Sequence, residues 1–184
     1  MNTPILSICI PTWNRAELLA DSLEHLLFVH DLSFPVEIIV SDNHSTDGTM
    51  ALLESYASKL PLRIIRQHSN VGIVRNPLAA FRAARGTYSL YLADDDRLVP
   101  DALERLIALL LKDSEVVILN VPWTLVWDRV AERPPQPFYA LDKVETFGPN
   151  EALDCLNFVV NGMVMPEIAI YRTDVLHKLL PYPN

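Results

Sequence analysis

Hydrophobic positions along this chain change period several times, and the changes predict its elements. Residues 5–10, Ile5-Leu6-Ser7-Ile8-Cys9-Ile10, form a short β-branched run stopped by Pro11, which reads as a buried strand. Leu19, Leu23, Leu26 and Leu27 then recur at i, i+4, i+7 and i+8, one face of a helix. Residues 36–40 repeat the strand pattern, and Leu53, Tyr56, Ala57 and Leu60 the helical one. A third strand over 62–65, an Ala-rich helix over 77–85 and a fourth strand over 88–92 follow. Leu103, Leu106, Ile107, Leu110 and Leu111 give the cleanest amphipathic pattern, ahead of a fifth strand over 116–119. This βαβα alternation predicts a layered α/β fold with a mainly parallel sheet.

The pattern breaks near residue 121. Residues 121–150 hold Pro122, Pro134, Pro135, Pro137 and Pro149 together with Trp123, Trp127, Phe138, Tyr139 and Phe147. Proline ends helices and central strands, so the segment predicts a long excursion packed by its own aromatics. A helix over 151–158, a strand over 167–171 and a helix over 173–180 are expected after it. The chain thus divides into residues 1–120 and 121–184.

Composition adds limits. With 184 residues and 20.8 kDa, half of them hydrophobic and 21% charged, the chain is globular with one substantial core. A net charge of −8 argues against a general nucleic-acid binder, though a diphosphate can be neutralised locally by a metal on carboxylates. Cys9 reads as a buried thiol, and no Cys/His cluster suggests zinc. There is no basic leader region and no apolar stretch near the roughly 20 residues that span a bilayer. A cytoplasmic protein without an integral membrane segment, at most peripheral at the inner face of the membrane, is expected.

Polar residues crowd where the predicted strands end. These are Pro11-Thr12-Trp13-Asn14-Arg15, then residues 41–48 with Asp42, Asn43 and His44, then Asn70-Val71-Gly72 with Arg75-Asn76, then Asp94-Asp95-Asp96. Open α/β sheets bind ligands at the carboxyl ends of their strands, so four such ends predict one polar rim. Three adjacent carboxylates repel one another, and a hard divalent cation relieves that repulsion. Helix capping competes as an explanation for the triplet, but Asp101 and Glu104 already form a D-x-x-E capping box for the next helix. Asp42 reads equally as an acceptor for the imide N–H of a pyrimidine base or as the start of an Asx-turn. Arg15 and Arg75 suit a diphosphate, and Gly72 permits close approach of backbone to ligand. The histidines read as surface or structural residues, with only His44 near the rim.

In their order and spacing, the segments 10–15, 39–49, 70–76, 86–88 and 92–96 with Pro100 resemble the family 2 glycosyltransferases of the GT-A fold. The resemblance implies a Rossmann-like three-layer α/β domain with a mainly parallel mixed sheet. Residues 1–120 would be its nucleotide-sugar-binding part and residues 121–184 an acceptor-side portion truncated at the C-terminus. It places Pro11, Thr12, Asn14, Arg15, Asp42, Asn43, Asn70, Gly72, Arg75 and Asp94 about the nucleotide, and Asp95 and Asp96 on Mg²⁺ or Mn²⁺. The common D-x-D-D pattern of the family has Ala93 at its first position here, so the division of carboxylates between ribose and metal stays open.

The implied reaction moves a sugar, with inversion, from a UDP- or dTDP-sugar to a hydroxyl of a saccharide or lipid-linked saccharide, in cell-surface polysaccharide synthesis. Its catalytic base is unknown and is expected beyond Asn184, with Glu167 and Asp174 as alternatives inside the chain. Two other readings stay open: a non-catalytic nucleotide-sugar-binding module, and a phosphotransferase with an aspartate nucleophile. The second needs its nucleophile after the first strand, where Pro11 and Thr12 stand.

Overall fold

A computed structural model describes residues 3–126, 134–138, 144–161 and 169–180. Strands β1 (Leu6–Thr12), β2 (Val36–Asp42), β3 (Leu62–Arg66) and β4 (Tyr88–Tyr91) are parallel neighbours in the order β3-β2-β1-β4. The sheet continues through β8 (Ala169–Arg172), antiparallel to β4, to β5 (Ile118–Asn120) at the edge, completing six strands. The predicted α/β fold with a mainly parallel mixed sheet is what the chain forms.

Alternating side chains of the strands feed two hydrophobic clusters. Leu6, Ile8, Ile10, Ile38, Val40, Leu90 and Ile170 meet α1 (Ala16–His25), α2 (Thr49–Tyr56) and α4 (Pro100–Lys112) through Leu19, Leu23, Leu53, Leu103, Ile107 and Leu110. Cys9, Ile39, Tyr91 and Tyr171 meet α3 (Gly72–Ala83) and α6 (Thr173–Leu179) through Ala80, Phe81 and Leu176. With both faces covered, the strands are apolar nearly throughout, which explains their continuous rather than alternating sequence pattern. Each fully buried Leu or Ile contributes about 1.5–3 kcal/mol. Cys9 is the buried thiol expected, and burial pushes its pKa up.

Several element boundaries differ from expectation for identifiable reasons. The first helix tightens into a 3-10 stretch, Leu26–Asp31, so Leu26 and Leu27 lie beyond α1. The third helix begins at Gly72, not Pro77. Proline inside a helix removes a bond to the carbonyl four residues back; here that carbonyl belongs to Ile73, in an exposed first turn where water can serve it. The predicted Asp101–Glu104 capping box does not form. Val99 is the N-cap, no side chain caps it, and the Glu104 carboxylate accepts from the Ser33 N–H and hydroxyl at 2.6 and 2.7 Å. The helix still starts after residue 96, so the aspartate triplet is not its cap.

The chain forms two compact units, residues 1–119 with 170–184, and residues 120–169. A division at 120/121 therefore differs in one respect: β8 and α6 belong with the sheet, because β8 pairs with β4. In the second unit β6 (Thr124–Leu125) and β7 (Gln136–Pro137) pair antiparallel, Trp123 stacks on Phe138 at 4.3 Å, and Phe147 packs on Phe158 of α5 (Ala152–Asn161). Trp123 on Phe138 is packing of the excursion by its own aromatics, as expected, whereas Phe147 packs on the helix that follows; Trp127, Tyr139 and Glu167 lie outside the described residues. Among the described residues no helix is long and apolar enough to cross a membrane.

Candidate functional site

Strand order creates the site. The chain leaves β1 toward β2 and β3, then returns to β4 on the other side of β1, so the connections diverge above β1 and β4. That switch point is where open α/β sheets leave a crevice. Pro11 helps to open it. The Cys9 carbonyl accepts from the Leu92 N–H at 3.0 Å, and Pro11, two residues on and facing the same neighbour, has no N–H to continue the ladder. The strand does not stop at Pro11, because its other side stays paired to β2 as far as Thr12 and Asp42.

Thr12, Arg15, Asp94 and Asp95 meet across this crevice. The buried Thr12 hydroxyl donates to Asp94 Oδ2 at 2.7 Å. The Arg15 guanidinium donates to Asp94 Oδ1 at 2.7 Å and to Asp95 Oδ2 at 2.6 Å, bridging two members of the triplet. Burial raises the Asp94 pKa, and the Thr12 and Arg15 bonds only partly offset it. Burial pulls the Arg15 pKa down, but Asp94 and Asp95 outweigh that and raise it. Asp95 is the open member, with 41% of its side chain exposed against 5% for Asp94.

Of the two readings of Asp42, the structure shows the turn. Its Oδ1 accepts the Ser45 N–H at 3.0 Å, the turn reading. Its Oδ2 is buried without a hydrogen-bond partner, and the nearest cation is Arg66 Nε at 3.7 Å. A buried carboxylate oxygen without a donor is costly, and a ligand N–H would relieve it.

The remaining predicted residues form the frame. Asn43 donates from its backbone to the Thr12 carbonyl at 2.9 Å and from its amide to Asn70 Oδ1 at 3.0 Å. Its own Oδ1 accepts the Val71 N–H at 2.7 Å, and Asn70 Oδ1 accepts the Gly72 N–H at 2.9 Å. Gly72 has φ +87°, a left-handed backbone, and a Cβ there would meet nothing within 4 Å, so conformation rather than crowding requires glycine. Asn14 is also left-handed at φ 50°, and its Oδ1 accepts the Thr46 N–H at 2.8 Å. Arg75 lies exposed on the first turns of α3. His44 is exposed on the rim, its Nδ1 3.2 Å from the Gln67 carbonyl.

Three contributors were given no role by sequence reasoning, although Asn76 stands in the polar rim it outlined. Asn76 is buried and ties β1 to β2, accepting from the Ser41 hydroxyl at 2.7 Å and donating to the Ser41 and Thr12 carbonyls at 2.9 and 3.3 Å. Ser22 and His25 of α1 bond the aspartate loop from behind: Ser22 Oγ lies 2.9 and 3.2 Å from the Asp94 and Asp96 carbonyls, and His25 Nε2 2.8 Å from that of Leu98. Ser22 had one available signal, a polar residue on the apolar stripe of its helix. Asp174, a fallback for the catalytic base, is at the wrong end of the sheet. Antiparallel pairing sets Arg172 opposite Tyr88, the first residue of β4, so the Asp174 carboxylate binds Arg172 far from the carboxyl-end rim.

Among the described residues no group of three or more His, Cys, Asp or Glu forms a metal cage. The donor set fits a hard cation in another way: Mg²⁺ commonly takes one or two carboxylates and completes its shell with substrate phosphates and water. The exposed Asp95 beside Asp96 offers such an edge.

Comparison with known proteins gives the same fold. The chain is 37% identical over 101 residues to abequosyltransferase RfbV of Salmonella typhimurium, covering 54% of this chain and 30% of that protein. It superposes on S. aureus TarS 1-349 in complex with UDP-GlcNAc with TM-score 0.70 and 22% identity, covering 94% of this chain and 46% of TarS 1-349. For the mannosyltransferase PcManGT of Pyrobaculum calidifontis, in complex with GDP-Man and Mn²⁺, the TM-score is 0.65 at 19% identity, covering this whole chain and 48% of PcManGT. The chain thus spans less than half the length of each. A sequence profile matches residues 7–180 from the second residue of β1 to the last residues described, and the chain belongs to glycosyl transferase family 2.

Proposed function

We propose that this chain is the nucleotide-sugar-binding part of a metal-dependent, inverting glycosyltransferase that uses a UDP- or dTDP-sugar. The observation that carries the reading is the Thr12–Asp94–Arg15–Asp95 cluster at the switch point, with Asp42 Oδ2, buried and lacking a hydrogen-bond donor, on the neighbouring strand end. Asp42 accepts the imide N–H of the base, which removes the cost of its bare oxygen. Asn43, Asn70 and Gly72 shape the backbone beside it. Arg15 and Arg75 counter the diphosphate charge, a guanidinium being suited to phosphate oxygens. Asp94, held by Thr12, faces the ribose, while Asp95 and Asp96 hold Mg²⁺ or Mn²⁺. When bound, that ion supplies Lewis-acid neutralisation of the departing diphosphate.

In the reaction the acceptor oxygen attacks the anomeric carbon as the bond to the diphosphate oxygen breaks, and a carboxylate base takes the hydroxyl proton. No residue described here is assigned as that base. The acceptor is a saccharide or lipid-linked saccharide met by residues 121–170, in cell-surface polysaccharide synthesis, with the protein in the cytoplasm or at the inner face of the membrane. Calorimetry with UDP, GDP and dTDP, each with and without Mn²⁺, tests the reading. Mn²⁺-dependent binding of UDP or dTDP is expected, and metal-independent binding or none would overturn it. Release of free sugar from UDP-sugars then distinguishes an enzyme from a binding module.

A further inference from the structure

We infer that Ser22 and His25 are positioning residues that aim the aspartate triplet, an inference that rests on the diphosphate reading above. Beyond β4 the chain runs from Leu92 to Val99 without regular structure. Among the described residues its own backbone bonds there are few: the Leu92 N–H to Cys9, the Asp96 N–H to Ala93 and, at the entry to α4, the Leu103 N–H to Val99, at 3.0, 3.2 and 3.0 Å. No sheet or helix ladder therefore fixes the peptide planes that set where the three carboxylates project. Helix α1 fixes them instead.

Ser22 and His25 are three residues apart and so lie on one face of α1. Together they bond the carbonyls of Asp94, Asp96 and Leu98, every second peptide of the loop. The Ser22 hydroxyl has one proton and shares it between two carbonyls. A carbonyl only accepts, so His25 Nε2 carries a proton here. The two side chains are themselves held: Ser22 is 2% exposed, and the His25 ring meets Phe28 edge-on at 5.7 Å. Arg15, at the N-cap of the same helix, grips the carboxylates from the front. One helix with its N-cap thus holds the Asp94 and Asp96 carbonyls and the Asp94 and Asp95 carboxylates, the arrangement a precise binding constellation needs.

A role limited to stability and a role in aiming make different predictions. Nucleoside binding depends on Asp42 and the β2 end and, through the ribose, on Asp94, whereas binding of the metal diphosphate depends in addition on Asp95 and Asp96. The experiment measures affinity for whichever of UDP, GDP or dTDP binds wild type most tightly with Mn²⁺, and for its nucleoside, in Ser22→Ala, His25→Leu, His25→Gln and the Ser22→Ala/His25→Leu double variant. Urea midpoints are recorded in parallel. Diphosphate affinity should fall about 3- to 10-fold in Ser22→Ala and His25→Leu and further in the double variant, on the scale of small misplacements of binding groups. Nucleoside affinity should fall by a clearly smaller factor than diphosphate affinity, and His25→Gln, which keeps an N–H near the Leu98 carbonyl, should restore diphosphate binding.

Unchanged diphosphate affinity in the double variant overturns the inference. So do equal losses of nucleoside and diphosphate binding, or a His25→Gln that behaves like His25→Leu. If wild type binds none of the three diphosphates, the donor reading fails and takes this inference with it.

Discussion

At Asp94 burial and ion pairing act in opposite directions. Burial raises its pKa above the ordinary 3.8, and the bonds from Thr12 and Arg15 only partly counter this. A carboxyl whose folded pKa is raised favours the native state most when protonated, so its contribution is full below 3.8 and is lost as pH rises through the folded value. Asp94→Asn should therefore gain in urea midpoint relative to wild type as pH rises from about 4 toward neutrality. A difference that stays constant with pH would show that the Asp94 charge carries no such cost. The acidic triplet was legible as residues, since three adjacent carboxylates call for a cation. Its inequality was not: the buried Asp94, the exposed Asp95 and the bridging Arg15 follow from which strand lies beside which. Asp42 was legible as two alternatives; Oδ1 makes the turn bond, while Oδ2 is left without a hydrogen-bond donor.

Among the elements, α1 and α2 share a cap. Asp47 lies in the loop after β2; its Oδ2 accepts the Ala16 N–H at 3.1 Å and its Oδ1 the Thr49 N–H at 3.0 Å. Helix N-termini leave N–H groups unpaired, and an aspartate satisfies them well. Asp47→Ala should cost about 1 kcal/mol, or somewhat more because two helices lose a partner, read from urea denaturation. Burial alone would raise the Asp47 pKa, but the Thr49 and Ala16 bonds outweigh it and lower it. This contribution is therefore present above 3.8 and lost as pH falls through the folded value. Asp47 reads as a cap from its place among Ser45, Thr46 and Gly48 in the sequence, but its hold on α1 spans 31 residues and has no local signature. Glu104 shows the converse. Its spacing from Asp101 predicts a local cap, yet Ser33 offers two donors and takes the carboxylate.

Across the whole molecule, Gly86 is where the returning chain crosses the sheet. A Cβ there would stand 2.8 Å from the Ser7 backbone nitrogen, and the Gly86 N–H donates to the Ser7 hydroxyl at 2.8 Å. Because the obstacle is backbone, Gly86→Ala should destabilise by about 1–3 kcal/mol in urea unfolding, with diphosphate affinity unchanged in the folded fraction at the far end of the sheet. The alternating periods of residues 5–119 determined the strands and helices, because a buried strand and a half-buried helix impose different spacings locally. The polar strand ends were readable for the same local reason, whereas Gly72 was read for close approach to a ligand and its left-handed backbone came only with the structure. Tertiary structure alone decided the rest. It inserted β8 antiparallel between β4 and β5, which sent Asp174 to the wrong end of the sheet. It also brought Ser22 and His25 behind the aspartate loop, more than 70 residues away along the chain. Neither outcome has a local period or motif, because each depends on which distant segments share an edge.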